Sequence, residues 1–236
     1  MKHPLLSYLI AMLLVVSSFQ VAFAQATLIP NAVKDSEGNS YSAVRIGQQV
    51  WMAENMRATK DREGNIIALG SDCSDGTPYR YYPDGFSTNV EKYGYLYNWV
   101  AAMKVCPKGW HLPTDAEWKQ LEMTMGMSTS DVNEFGDRGP AIAIKLCGDG
   151  WWEDSSEAGV VGDQIAEGRN LSGFCALPAG KFSGKYQLFG GYAFFWSATC
   201  VGYYAYVRDM GYNHSNVGYY AERNNNGLSV RCLRNK

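Results

Sequence analysis

The chain has 236 residues and a formal net charge of −2; with no basic cluster, nucleic acid and anionic membrane surfaces are excluded as expected partners. Its 25 glycines, 16 tyrosines and 7 tryptophans point to short strands and tight turns, with aromatic rings supplying the core area. No period of about 20 to 50 residues marks a solenoid.

Residues 1–24 read as a secretory signal peptide. Lys2 supplies the basic start, residues 5–16 are apolar, and Ala22-Phe23-Ala24 is a small-x-small site ahead of Gln25. The apolar run is short of the ~20 residues of a spanning helix, and no cysteine follows the cleavage site to carry a lipid. The expected mature chain is therefore exported to the periplasm, cell surface or medium, is not a lipoprotein, and has no membrane span after cleavage. Residues 25–41 form a polar, extended lead-in, and residues 42–236 are expected to form one domain. Cys73, Cys106, Cys147, Cys175, Cys200 and Cys232 all follow the signal. In an exported chain they read as up to three disulfides, with the connectivity open.

Residues 42–47 and 49–55 alternate apolar with polar around Gly47-Gln48, a hairpin pattern. Val44, Ile46, Val50 and Met52 share one face if the turn keeps register. Residues 57–93 lack periodicity and read as an irregular region stapled by Cys73. Residues 93–103 pass from a strand-like aromatic run into a short helical turn. Thr114 and Glu117 have capping-box spacing. Behind them Trp118, Leu121 and Met125 form one apolar stripe, and Gly126 is a natural stop. A second helix is expected from about Arg138 to Cys147, with Pro140 in its first turn and Gly148 beyond its end. Short strands are expected at 171–177, 193–199, 203–209 and 227–233. Trp110, Trp118, Trp151, Trp196 and Phe195 are assigned to the core, and His111 is read as a packing histidine.

Six blocks in order carry a resemblance: Val44-Arg-Ile-Gly-Gln-Gln-Val-Trp-Met-Ala-Glu-Asn-Met56, Tyr93-Gly-Tyr-Leu-Tyr-Asn-Trp99, Cys106-Pro-Lys-Gly-Trp-His-Leu-Pro-Thr-Asp-Ala-Glu-Trp118, Ser172-Gly-Phe-Cys-Ala-Leu-Pro-Ala-Gly180, Phe195-Trp-Ser-Ala-Thr199 and Leu228-Ser-Val-Arg-Cys232. Together they resemble the Fibrobacter succinogenes major paralogous domain (FISUMP) family, found mainly in exported proteins of Bacteroidetes and Fibrobacteres. The 112–118 and 230–233 blocks are more distantly similar to sulfatase-modifying, formylglycine-generating domains. That likeness implies an α+β, C-type-lectin-like fold, with two helices flanking short antiparallel strands in a loop-rich domain. It also implies that the two chain ends share a sheet, with the hairpin near residue 45 close to the strand ending at Cys232. From the same resemblance Cys106 is paired with Cys232, while Cys73, Cys147, Cys175 and Cys200 stay unassigned.

A formylglycine-generating oxidase requires two cysteine thiolates for Cu(I). The resemblance puts one at Cys200 and the other near Ala205, where no cysteine occurs, so Cys200 is read as a disulfide partner. The Glu-Pro-Asn and Gln-Pro-Asp signatures of calcium-dependent lectins are absent. The acidic stretch Asp149, Glu153, Asp154, Glu157 and Asp163 is either a cation site, with Asp149, Asp154 and Asp163 as Ca²⁺ candidates, or a solvated loop. Otherwise no cofactor and no catalytic residue is expected. Tyr203, Tyr204, Tyr206, Tyr212, Tyr219 and Tyr220 are interspersed with Asn213, His214, Asn216 and Asn224 to Asn226, a composition suited to stacking on sugar rings and bonding their hydroxyls. Tyr203, Tyr204, Tyr206, Tyr212, Asn213 and Asn216 are the candidate ligand residues. The expectation is an exported, non-catalytic binding or structural module of the bacterial cell envelope, glycan-binding or adhesive, with a glycan or surface protein as partner. The alternatives are a sulfatase-modifying-type oxidase and a structural subunit of a surface assembly.

Overall fold

The structure is a computed structural model that describes residues 26–72 and 76–236; the expected signal peptide and Cys73 lie outside the described residues. The strands are short and the helices few. In chain order they are β1 (Leu28–Lys34), β2 (Ser40–Ile46), β3 (Gln49–Met52), β4 (Ala68–Leu69), β5 (Tyr79–Tyr81), α1 (Val90–Tyr93), β6 (Leu96–Tyr97), α2 (Trp99–Val105), β7 (Trp110–His111), α3 (Asp115–Thr124), β8 (Gly136–Arg138) and α4 (Ile142–Leu146). Then come β9 (Lys181–Phe182), β10 (Tyr186–Gln187), β11 (Tyr192–Val201), β12 (Tyr204–Gly211), β13 (Val217–Arg223), β14 (Leu228–Ser229) and β15 (Leu233–Arg234).

The ends of the domain meet in a five-stranded sheet of order β1-β2-β3-β15-β7, in which Leu233 pairs with both Trp51 and His111. An eight-stranded sheet of order β4-β5-β6-β14-β11-β12-β13-β8 carries the rest, beside a small β10-β9 pair. The molecule is thus mixed α+β, with sheet predominating.

Two cores lie on the two faces of the β11–β12 hairpin. In one, Trp118, Leu121 and Met125 meet Val44, Ile46, Trp51, Phe174, Phe195 and Met210; Trp51 and Trp118 pack with ring centroids 4.8 Å apart. In the other, Ala101, Ala102 and Val105 of α2 meet Val50, Met52, Phe194, Trp196, Ala205 and Val207. The β2–β3 register pairs Val44 with Trp51 and Ala43 with Met52. Val50 and Met52 therefore do not share the face of Val44 and Ile46; each face of this hairpin is buried in a different core.

Capping makes α3 legible. Thr114 Oγ1 accepts from the Glu117 N–H at 3.3 Å, and Glu117 Oε2 accepts from the Thr114 N–H at 2.8 Å. Within the core, Glu122 of α3 is fully buried and accepts from Arg208 Nε at 2.6 Å and Arg138 Nη2 at 2.9 Å. Arg208 also donates to Asp115 Oδ1 at 2.8 Å, and the Tyr219 hydroxyl donates to Asp115 Oδ2 at 3.2 Å. This network ties α3 to β8, β12 and β13; a buried charge is tolerable only when so paired.

Several expectations are corrected. Residues 171–177 form turns rather than a strand, because Asn170, Gly173 and Cys175 take left-handed φ of 50°, 66° and 56°. The 227–233 strand is split into β14 and β15. The second helix is only Ile142–Leu146, since Ala141 before it is left-handed at φ 63°. Trp151 sits at φ 71° and is 64% exposed, while its neighbour Trp152 takes the buried position. Cys106 and Cys232 are bonded, with Cα atoms 5.8 Å apart. Cys147, Cys175 and Cys200 are free thiols, so the further bridges expected of them do not form among the described residues. Cys147 is buried with its sulfur 3.7 Å from that of Met210, and Cys200 is exposed on β11.

Candidate functional site

The β11–β12 hairpin projects a tip whose position is set by a bulge. Trp196 pairs with Val207 and Cys200 with Ala205, so residues 197–199 face a single residue of β12. The bulge is anchored at three points. The Ala198 N–H donates to the Pro113 carbonyl at 2.7 Å, Thr199 Oγ1 accepts from the Asp115 N–H at 3.0 Å, and Trp99 Nε1 donates to the Ser197 carbonyl at 2.9 Å. At the tip Gly202 takes φ 61°, the positive value that the first central residue of a tight hairpin turn demands.

This turn turns two tyrosines outward, Tyr203 at 84% and Tyr204 at 44% exposure. Beside them the Asn224 N–H donates to the Tyr203 carbonyl at 2.9 Å, and the Asn224 carbonyl accepts from the Trp99 N–H at 2.9 Å. Tyr204 pairs across the ladder with Arg223. The result is an open groove of about 340 Å³ lined by Tyr203, Tyr204, Arg223, Asn224 and Asn225. Two phenol rings, a guanidinium and two amides offer ring faces and hydrogen-bonding groups on one anchored surface.

The six candidate ligand residues do not form one site. Tyr203 and Tyr204 line the tip groove. Tyr206 packs against Tyr219 with centroids 5.2 Å apart, and Tyr212 packs on the first core. Asn213 accepts from the Tyr192 hydroxyl at 3.2 Å, and Asn216 lines a second cleft at the far end of the same strands. Sequence reading missed Arg223 at the groove, and Tyr192, Asp137 and Asp209 at the second cleft. Asp209 did carry a signal, because the Ala205, Val207, Asp209 alternation places a carboxylate on an inward face.

The acidic stretch does not converge on a cation position. Both Asp163 carboxylate oxygens accept from loop N–H groups, those of Gly159 at 2.9 Å and Ile165 at 3.2 Å. Among the described residues no group of three or more His, Cys, Asp or Glu side chains is placed to hold a metal ion. His111 is half-buried rather than a core packing residue. Its Nε2 lies 3.0 Å from Glu117 Oε1 and its Nδ1 2.7 Å from Asn235 Oδ1. The Glu117 bond raises the His111 pKa. Burial pushes the Glu117 carboxyl up, but His111 and Thr114 outweigh it and hold the pKa at about 2. Among the described residues no helix is long and apolar enough to cross a membrane.

A family model described as the Fibrobacter succinogenes major domain matches residues 44–234. The chain belongs to this family. The Fibrobacter succinogenes major domain takes in both clefts, the bulge and the Cys106–Cys232 bond. No curated protein and no solved structure matches the chain.

Proposed function

We propose that this protein is an exported, non-catalytic binding module of the bacterial cell envelope that engages glycans through the groove at the β11–β12 tip. The observation that carries the reading is the pair Tyr203 and Tyr204, held outward on an anchored turn beside Arg223, Asn224 and Asn225. Phenol faces suit the apolar faces of sugar rings, and amides and a guanidinium suit their hydroxyls and carboxylates. The shared sheet of the two chain ends, with β3 beside β15, supports a C-type-lectin-like reading of the fold; function is argued from the site, since fold alone does not imply it. The oxidase alternative is disfavoured by the side chains present. Cys200 is directly opposite Ala205 in the ladder, so the position that resemblance gives to a second thiolate holds a methyl group.

Glycan-array binding with and without Ca²⁺, on the wild-type protein and on a Tyr203→Ala, Tyr204→Ala variant, tests this. Binding that the double variant loses at least tenfold, and that persists without Ca²⁺, is expected. An array on which the wild type binds nothing, or the variant binds equally well, would end the proposal.

A further inference from the structure

At the opposite end of β12 and β13, on the other face from the tip groove by strand alternation, lies a cleft of about 180 Å³. The register places Asp209 of β12 across from Gly218 of β13, and Gly218 across from Asp137 of β8. The row therefore reads carboxylate, glycine, carboxylate. A Cβ on Gly218 would fall inside the Asp209 carboxylate, so only glycine lets Asp209 lie across the strand towards Asp137. A Cβ on Gly211 would meet the Tyr192 ring at 2.6 Å, so this glycine opens the cleft in the same way. Tyr192 and Tyr220 stand as walls, with His214 and Asn216 completing the lining.

The groups here are unequally engaged. The Tyr220 hydroxyl donates to Asp137 Oδ1 at 3.0 Å, whereas Asp209 accepts no hydrogen bond from another side chain among the described residues. The charged groups around Asp209 are Asp137 on β8, Lys181 on β9 and Glu222 on β13, and Lys181 is already paired with Glu222 at 2.6 Å. The balance is negative, so an anion is disfavoured. A hard divalent metal takes six or more oxygens, and this cleft gathers no third acidic ligand. Ordinary small-molecule sites begin at about 300 Å³; this one suits the head of a chain rather than a whole cofactor. Phenol faces attract cations, and an alkylammonium brings three donors for two carboxylates.

We propose that this cleft binds a primary ammonium group at the end of a flexible chain, as a lysine side chain presents it, between the Asp137 and Asp209 carboxylates and the Tyr192 and Tyr220 rings. Burial first, and then the neighbouring Asp137, push the Asp209 pKa up to about 7, against the pull of Lys181. An arriving cation favours the ionised carboxylate, so binding below that value expels a proton and affinity rises with pH. This site is separate from the tip groove and stands whether or not the tip binds glycans.

The test is titration of the purified protein with Nα-acetyl-lysine amide at pH 6 and pH 8, followed by ¹⁵N amide shifts and calorimetry, with Nα-acetyl-norleucine amide and CaCl₂ as comparators. Expected are shifts at Gly211, Gly218 and Tyr220, binding about tenfold tighter at pH 8 than at pH 6, and no shifts there with either comparator. Asp209→Asn should lose the pH dependence and most of the affinity, while Tyr203→Ala should change neither. Equal binding of the norleucine compound, shifts produced by Ca²⁺ in place of lysine, or wild-type affinity independent of pH would each overturn the proposal. The wild-type arms hold even if a variant fails to fold.

Discussion

Asp209 is uncharged over much of the acid range because the sheet around it is dry and Asp137 stands across Gly218. Its pKa rises from an ordinary 3.8 to about 7, which means folding favours its protonated form. Stability from this residue is therefore greatest below about 4, falls as pH rises from there to about 7, and is level above. Denaturant melts at pH 4, 6 and 8 should show that decline in the wild type and a flatter profile in Asp209→Asn. A decline of equal size in both would assign it elsewhere. The three thiols differ just as sharply. Cys200 is exposed, Cys175 half-buried, and Cys147 fully buried with burial pushing its pKa up. Iodoacetamide on the native protein should label Cys200 first, Cys175 more slowly and Cys147 only on unfolding; mass mapping of timed samples reads the order directly.

Among the elements, α3 is the most fully specified by its own residues. Thr114 and Glu117 start it, Trp118 and Leu121 bury it, and Gly126 at φ 103° follows its end. Thr114→Ala should cost about 1 kcal/mol. The Glu117 contribution is complete above 4.5 and lost as pH falls from there to about 2, while that of His111 is complete below 6.5 and lost as pH rises through its raised value. Glu122→Ala should be far more damaging, at roughly 3–5 kcal/mol, because it leaves Arg208 and Arg138 buried without their shared carboxylate; urea melts of the two variants give the comparison. The helix was readable because its signals are local. The interior strand β13 was not, because its residues were legible only as an aromatic and amide-rich run, and their pairing with β8 is set by a segment some 80 residues earlier. For the same reason, Tyr203 and Tyr204 could be marked in advance, whereas the Asp137–Gly218–Asp209 row exists only once three distant strands are in register.

Across the whole molecule, the closure of the domain rests on β15 lying between β3 and β7 and on the bond between Cys106 and Cys232, which are 126 residues apart. Reducing that bond frees a long loop in the unfolded chain and should cost roughly 2–5 kcal/mol, read as a lower urea midpoint in dithiothreitol than without it; identical midpoints would show the bond to be energetically idle. The resemblance to a family supplied this pairing and the meeting of the chain ends, which no local pattern contains. The same bond bears on survival outside the cell. Both clefts lie on chain enclosed between the bonded cysteines, and that chain is rich in exposed turns such as those at Gly202 and Ile165. A protease that cuts one of these turns produces two peptides still joined by sulfur and still held by the sheets, so a single nick need not release either binding surface.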